Sequence, residues 1–219
     1  WALNESGSNT VAEDTSGNEN NGTLTNMNYY PDFNATGGIL GGGAMEFDGV
    51  EDYVNVSTSS SLDSLGNDVS VSMWAKSIQS NSFQTLISFY KNSGERIYFF
   101  YDATGTDVLS LHNDIDNIGQ GIRFGDSCTT ADVIDSFAHW AFVLNETNVS
   151  VYKNSVLCGT GDIVKNFSTL DRGFSAFLGV SMYTPPQFFF NGTIDEVGIY
   201  NRSLSADDVL RLYNMGLAN

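Results

Sequence analysis

The stretch Val69-Ser-Val-Ser-Met-Trp-Ala-Lys76 alternates strictly between two kinds of side chain. Its odd-numbered positions are all apolar, and its even-numbered positions carry two serines, a tryptophan and a lysine. Successive side chains of a β-strand point to opposite faces of a sheet, so this period of two predicts a strand with one clearly apolar face. That face needs a second layer to cover it, which indicates a packed β protein.

The same pattern extends outward from this stretch in both directions. Residues His139–Leu144 (HWAFVL) are nearly all apolar and predict a central strand covered on both faces. After the turn-like Asn145–Asn148, Val149–Tyr152 completes a predicted hairpin. Further strands are predicted at Ala44–Asp48, Asp52–Val56, Phe83–Tyr90, Arg96–Tyr101, Val108–His112, Phe174–Val180 and Ile194–Tyr200. Strands this closely spaced, with turn signals between them, predict an all-β, two-sheet antiparallel sandwich.

One short helix is predicted near the end of the chain. Ser205 and Asp208 have the spacing of an N-terminal capping box, and Gly216 gives a stop signal. The apolar stripe between them consists of Val209, Leu212 and Tyr213. We find no linker-like stretch and no internal repeat, so residues 1–219 are predicted to form a single domain.

The charge balance excludes one class of partner. The chain has 26 acidic residues against nine Lys and Arg, a net charge of −17. A polyanion would be repelled, and no basic stripe exists to displace counterions from phosphates, so nucleic-acid binding is not expected. The acidic excess suits divalent cations, a salty habitat or solubility alike. Since no run of about 18 apolar residues occurs, no membrane insertion is expected within this chain.

Sequons indicate the compartment. The pattern Asn-x-Ser/Thr occurs nine times, mostly at predicted turns, where a glycan acceptor must lie. We therefore expect an extracellular or cell-surface protein that is glycosylated at some of Asn4, Asn21, Asn34, Asn55, Asn145, Asn148, Asn166, Asn191 and Asn201.

Cys128 and Cys158 are the only two cysteines. An even number in an extracellular context favours a disulfide, with two buried free thiols as the alternative. Closing a loop of about 30 residues would stabilise the fold by about 3–4 kcal/mol in the chain-entropy model.

Four stretches, in the same order along the chain, resemble one family. Asp14–Thr23 (DTSGNENNGT) resembles the D-x-S-G-N-x-N-x-G-T loop of laminin-G-like, concanavalin A-like lectin/glucanase jelly rolls. Gly43–Val54 resembles their G-x-A-[x]-x-F-D-G-x-x-D-Y-V strand pair, in which the bracketed position is optional, and Val71–Trp74 resembles the strand that ends in tryptophan. Asn191–Ser205 is similar to the closing G-x-I-D-E-V-x-I-Y-N-R-x-L-S stretch. The resemblance implies a pentraxin-like jelly roll that acts in extracellular recognition.

The middle of the chain departs from that family. The usual W-x-H-x-A pattern appears with phenylalanine first, at Phe137–Ala141, and residues 77–136 match no pattern. Ligand specificity is expected to reside in this segment.

The early loop predicts a calcium site. Its carboxylate, amides and main-chain carbonyls are the oxygen ligands of which calcium takes six to eight. The alternative is an Asx-rich turn whose side chains bond their own backbone. The resemblance implies that the I-D-E-V strand lies beside this loop, while strand alternation would turn Glu196 away. The predicted ligands of this structural Ca²⁺ are Asp14, Asn18, Asn20, Gly22 and Asp195.

Glycoside hydrolysis is the main enzymatic alternative, because glucanases share this fold. A retaining enzyme needs two carboxylates about 5–5.5 Å apart. The nearest candidates are Glu46 with Asp48, and Asp195, and neither reproduces the E-x-D-x-x-E strand of those glucanases. His112 is expected to face solvent, and His139 is expected to pack in the core. The sequence has no G-x-S-x-G motif of a serine hydrolase and no paired His or Cys residues at the spacing of a zinc site. The sequence therefore predicts a protein that is not an enzyme.

Aromatic side chains can serve as platforms for sugar rings, although most of them pack the interior of a sandwich. The candidates are Tyr29, Tyr30, Tyr90, Tyr101, Tyr183 and Phe188, of which Tyr29, Tyr30 and Tyr183 are favoured because they lie in loops or beside prolines. The resulting prediction is a calcium-binding recognition or adhesion module for a glycan or a surface protein. The alternative is a structural subunit of a surface layer or filament that packs against copies of itself.

Overall fold

A computed structural model describes residues 1–3, 10–27, 33–34, 36–78, 83–102, 108–115, 118–124, 128, 136–163, 167, 172–182 and 185–218. Within these residues the chain forms fifteen strands, a 3₁₀ turn at Leu62–Ser64 and one α-helix, α1, at Ala206–Gly216. In chain order the strands are β1 Val11–Ala12, β2 Gly22–Thr25, β3 Phe33–Asn34, β4 Ala44–Asp48, β5 Tyr53–Val56, β6 Val69–Ser77, β7 Gln84–Asn92, β8 Glu95–Asp102, β9 Val108–Ile115, β10 Ile118–Arg123, β11 Ala138–Asn145, β12 Asn148–Lys153, β13 Val156–Asp162, β14 Ser175–Leu178 and β15 Asn191–Tyr200.

The strands form two antiparallel sheets. An eight-stranded sheet has the order β1-β2-β5-β14-β7-β8-β9-β10, and a seven-stranded sheet has the order β13-β12-β11-β6-β15-β4-β3. Hairpins of consecutive strands form the outer parts of each sheet, and crossovers join strands that are distant in sequence near the middle, where β14 lies between β5 and β7 and β15 lies between β6 and β4. The predicted two-sheet β-sandwich with one C-terminal helix is confirmed.

The core lies between the two sheets. The apolar face of β6 points into it, and β11 pairs with β6 so that Trp140 lies opposite Met73. Phe142 of β11 stacks on Phe99 of the other sheet with their ring centroids 4.2 Å apart. The buried indole of Trp140 donates its only hydrogen to the Tyr101 hydroxyl at 3.0 Å, so this polar pair is satisfied inside the core.

The helix covers the outer face of β11, which explains why that strand is apolar on both sides. Val209 of α1 is buried against Ala141 and Val143. The predicted capping box is present, because the Ser205 side chain accepts from the backbone of Asp208 and the Asp208 side chain accepts from the backbone of Ser205.

Glycines set the spacing where the edges of the two sheets meet. A Cβ on Gly159 of β13 would lie 2.7 Å from Phe124 Cβ and 3.1 Å from Cys128 Sγ, so only glycine permits this approach. Beside it, Cys128 and Cys158 form the predicted disulfide, with their Cα atoms 5.1 Å apart. The bond closes this end of the sandwich. None of the helices in the described ranges is long and apolar enough to cross a membrane.

Candidate functional site

The outer face of the eight-stranded sheet carries one continuous row of residues across its strands. Each member lies directly opposite the next in the register of the antiparallel pairs. Their chain neighbours on each strand, such as Val54, Ile97 and Phe99, belong to the core. Since side chains alternate along a strand, the row faces away from the core. From β5 to β9 its members are Asn55, Phe177, Ser88, Tyr98 and His112.

Aromatic rings cluster on this outer face. The rings of Tyr98 and His112 are stacked, with centroids 5.0 Å apart and planes within 19°. Tyr98 lies 5.2 Å from Phe100, and Phe83 lies 5.9 Å from Phe100 and 5.3 Å from Phe188. Tyr98 is buried, whereas the other four rings are partly exposed. These five residues are called the aromatic patch below.

Backbone contacts hold the patch in place. Phe188 has φ +58°, a left-handed conformation that costs energy for a residue with a side chain. Its carbonyl accepts the backbone N–H of Thr85 at 2.8 Å, and the Ser88 hydroxyl donates to the carbonyl of Val180 at 2.7 Å. The loop that carries Phe188 is therefore tied to β7, and its ring is fixed against Phe83.

Sequence reasoning found this patch only in part. Phe188 was among the candidates, but Tyr101 lies in the core, and Tyr29, Tyr30 and Tyr183 fall outside the described residues. His112 is not at a strand end, because β9 continues to Ile115.

His139 has the packing role predicted for it. It is 1% exposed, and its Nε2 lies 2.8 Å from the Ser72 hydroxyl oxygen. Its ring lies beside Trp74 and Tyr213, and its Nδ1 has no hydrogen-bond partner among the described residues. Burial lowers the pKa of His139 to about 4, so the ring is neutral at pH 7.

The Asp14 loop folds as a tight Asx turn. The Asp14 carboxylate accepts the backbone N–H groups of Ser16 and Asn20, both at 2.9 Å. Burial alone would raise the pKa of Asp14, but the hydrogen bonds from Ser16 and Asn20 outweigh it and lower that pKa. Asn20 Oδ1 in turn accepts the hydroxyls of Ser59 and Ser61.

Three of the predicted calcium ligands line one cleft. Asp14, Asn18 and Asn20 form a wall of a cavity of about 380 Å³, together with serine hydroxyls and the end of β15. This mixture of carboxylate, amide and hydroxyl oxygens fits the preference of calcium. Gly22 lies in β2, where a Cβ would be 2.4 Å from Val54 Cγ1, so its lack of a side chain serves packing.

Asp195 has other partners. It is buried, and its carboxylate accepts the backbone N–H groups of Ile39 at 2.8 Å and Glu196 at 2.9 Å. Among the described residues, no group of three or more His, Cys, Asp or Glu side chains is positioned to hold a metal ion. A calcium site would thus combine the Asp14 carboxylate with amide, hydroxyl and main-chain oxygens, and the participation of Asp195 stays a prediction.

A β-bulge interrupts β15 next to Asp195. The register with β6 shifts between Asp195 and Gly198, and Glu196 takes φ +49°. The inserted residue breaks the alternation on which the placement of Glu196 rested. Glu196 instead lines a cavity of about 220 Å³ with Ser72 and His139.

The carboxylate pair considered for hydrolysis lies on β4. Burial would raise the pKa of Asp48, but backbone N–H groups, those of Val50 and Glu51 first among them, outweigh it and lower that pKa. An ionised carboxylate does not suit a general acid, which needs a raised pKa. Glu46 Oε1 accepts the side-chain amide of Asn34 at 2.9 Å. Both groups thus have structural partners.

Solved structures share this fold. Domain 4 of AbnA, a GH43 extracellular arabinanase from Geobacillus stearothermophilus solved in complex with arabinotriose, is 23% identical, with a TM-score of 0.73 over 92% of each chain. The receptor-binding domain of botulinum neurotoxin C/D mosaic serotype is 15% identical (TM-score 0.69, 92% of this chain and 48% of that chain). The binding domain of Paraclostridial Mosquitocidal Protein 1 is 16% identical (TM-score 0.65, 92% and 49%). The chain thus spans about half the length of the two toxin domains. At these identities the likeness establishes the fold alone.

Sequence comparison identifies the family. No curated protein matches the chain. The family model described as the concanavalin A-like lectin/glucanases superfamily matches residues 48–210, which are 163 of the 219 residues. This match covers the β4–β5 turn, the central strands, the aromatic patch and the first five residues of α1. The chain belongs to the concanavalin A-like lectin/glucanase superfamily.

Proposed function

We propose that this chain is a non-catalytic recognition module that binds carbohydrate on the outer face of its eight-stranded sheet. The observation that carries the proposal is the aromatic patch, with four partly exposed rings on a face turned away from the core. The C–H face of a pyranose or furanose ring is apolar, and burying it against such rings is favourable.

Polar groups flank the patch at positions suited to sugar hydroxyls. The strand register places Arg96 and Arg123 on the same face as Tyr98. The two arginines lie on opposite sides of the cross-strand row that contains Tyr98. A guanidinium presents donors in a fixed fork, and His112 adds a ring nitrogen. An apolar platform with a few convergent polar groups is typical of small-ligand sites.

The comparisons support the same ligand class. The arabinanase domain was solved with arabinotriose. Cell entry of botulinum neurotoxin type C, whose structure is 17% identical with a TM-score of 0.65, is dependent upon interaction with two ganglioside molecules. Another toxin domain was solved with rat synaptotagmin II, so a surface protein is the second ligand class. An extracellular or cell-surface location would be consistent with either ligand.

A glycan array that includes arabinan oligosaccharides and gangliosides tests the proposal. We expect the wild type to bind at least one saccharide, and Phe100→Ala to weaken that binding about tenfold or more, equivalent to about 1.4 kcal/mol. The matched control is Phe137→Ala, since Phe137 is also partly exposed but lies beside Lys76, 5.2 Å from its Nζ, near the seven-stranded sheet. Equal affinities for wild type and Phe100→Ala, or no bound glycan, would refute the proposal.

We also propose a structural Ca²⁺ at the Asp14 loop, with Asp195 as the distant carboxylate. The oxygen-rich wall of the neighbouring cleft supports the first half of this site. Bound there, the ion would fasten the start of the chain to the rest of the sandwich and would take no part in ligand chemistry. Self-association into a layer or filament is the alternative role for the module, and it predicts concentration-dependent oligomers in place of glycan binding.

A further inference from the structure

The structure distinguishes among the nine sequons by the surroundings of each asparagine amide. In the folded protein a glycosylated side-chain Nδ2 must face open solvent, because a sugar replaces one of its two hydrogens. An amide that is packed or that bridges two segments cannot meet this condition without loss of contacts. Asn4 and Asn166 lie outside the described residues, which leaves seven sequons to compare.

Three of the seven asparagines use their Nδ2 groups as donors. Asn34 Nδ2 donates to Glu46 Oε1 at 2.9 Å. Asn201 Nδ2 donates to the carbonyl of Ser64 at 3.3 Å while its Oδ1 accepts the backbone N–H of Gly66, so the amide clamps two turns together. Asn148 Nδ2 approaches Asp162 Oδ1 at 3.5 Å, across the β12–β13 pair.

Two more are confined by packing. Asn55 belongs to the row on the outer face of the eight-stranded sheet, opposite Phe177, and its Oδ1 is buried. A glycan there would cover the proposed binding face. Asn191 is half-buried and packs so closely on Gly49 that a Cβ on that glycine would lie 2.8 Å from Asn191 Cβ.

The remaining two meet the condition. Asn145 is exposed at the β11–β12 hairpin, pairs with Asn148 through the backbone, and makes no side-chain hydrogen bond to any described residue. Asn21 is exposed too, and only its Oδ1 is used, by the backbone N–H of Asp14 at 2.9 Å. We infer that Asn145 and Asn21 are the N-glycan acceptors among these seven sequons.

The modification is a group transfer from a polyprenyl-pyrophosphate-linked oligosaccharide. Asn Nδ2 forms a bond to the anomeric C1, and the bond from C1 to the pyrophosphate oxygen breaks. The lipid pyrophosphate leaves with the bonding electrons, and Nδ2 loses one proton and keeps the other. At Asn21 the amide oxygen retains its bond to Asp14, so the loop is preserved after transfer.

The positions are compatible with ligand binding. Asn145 lies on the seven-stranded sheet, and Asn21 precedes β2 near the opposite edge of the eight-stranded sheet from β8 and β9. Neither belongs to the cross-strand row or to the aromatic patch. Glycans at these two positions would solubilise the domain and leave the patch open.

The test is site mapping on protein secreted from a cultured animal cell line that performs N-glycosylation. The purified protein is digested to peptides, and peptide N-glycosidase then removes the glycans in ¹⁸O water. Mass spectrometry of the peptides shows which of the seven asparagines has been converted to ¹⁸O-labelled aspartate. We expect label at Asn145 and Asn21 and none at the other five asparagines, which are Asn34, Asn55, Asn148, Asn191 and Asn201. An unlabelled Asn145, or full label at Asn55 or Asn201, would overturn the inference.

Two matched substitutions give an independent readout. Thr147→Ala removes the Asn145 sequon, and Thr36→Ala removes the Asn34 sequon; both threonines are exposed. Gel mobility of the secreted protein should increase by one glycan step in the first variant and stay unchanged in the second. Equal secretion of the two variants excludes a folding defect as the cause. No shift for Thr147→Ala, or a shift for Thr36→Ala, would contradict the assignment.

Discussion

Acidification from pH 7 to pH 4.5 is expected to lower the free energy of unfolding by about 2.5 kcal/mol through His139 alone. The cause is burial, which lowers the pKa of this ring from 6.5 to about 4 in the folded state. In the unfolded chain the ring has its ordinary pKa. Between pH 6.5 and pH 4 the unfolded chain therefore binds a proton at this ring and the native state does not. Stability is therefore full at neutral pH and is lost as pH falls from 6.5 toward 4.

Other groups act in different ranges or in the opposite direction. The pKa values of Asp14 and Asp48 are lowered in the folded state, so their contributions are lost only as pH falls below their ordinary value of 3.8. Burial raises the pKa of Glu196, which lines the same cavity as His139, so that carboxyl favours folding on acidification. A substitution is needed to isolate the histidine.

Urea unfolding of wild type and His139→Gln across this pH range provides the measurement. Glutamine can keep the contact with the Ser72 hydroxyl but does not titrate. The difference in stability between the two proteins should shrink by about 2.5 kcal/mol between pH 7 and pH 4.5. Parallel profiles for wild type and His139→Gln would contradict this prediction, because they would show that the native state binds the proton as readily as the unfolded chain.

Calcium should raise the melting temperature of the wild type, and a chelator should lower it. At free calcium of 100 times the dissociation constant, the expected gain is about 2.7 kcal/mol, or roughly 5–11 °C for a chain of this length. The physical reason is mass action on a site present only in the folded state. A melting temperature that is the same with and without chelator would contradict the proposed calcium site.

Variants locate the ion, with the calcium response within each variant as the readout. Asp14 and Asp195 both hold backbone N–H groups, so their loss lowers stability with or without metal. Either Asp14→Ala or Asp195→Ala should abolish most of the calcium response, and the double variant should lose little more, because the two carboxylates would act as one unit. Asp48→Ala is the control, since Asp48 also accepts N–H groups in a turn. A retained response in Asp195→Ala would place the ion on the Asp14 loop alone.

The sequence predicted the strands whose apolar and polar residues alternate and the strands that are apolar throughout. It missed the strands whose own residues carry no such pattern and that form because a neighbouring strand pairs with them. Ala44–Asp48 was predicted with its observed bounds, because apolar and polar residues there face different surroundings. β1 and β3 have two residues each, too few to show a period. β10 and β13 are rich in glycine, and they pair because other strands lie alongside them.

The candidate site was less accessible to sequence reasoning for a related reason. Ile97–Tyr101 of β8 has a large apolar or aromatic side chain at every position, so its pattern does not separate the core face from the outer face. Only the register with β7 and β9 shows that Tyr98 and Phe100 face outward. The bulge at Asp195–Gly198 likewise depends on pairing with β6. Such features follow from long-range contacts.

The most direct test of the proposed binding face is backbone amide NMR of the wild type, titrated with the saccharide that the array identifies. We expect the amide chemical shifts of β7, β8, β9 and the loop that carries Phe188 to change at saturating ligand. Amides of the β11–β12 hairpin and of α1 should remain unperturbed and serve as internal controls. Shifts confined to the seven-stranded sheet or to the cleft beside Asp14 would contradict the account.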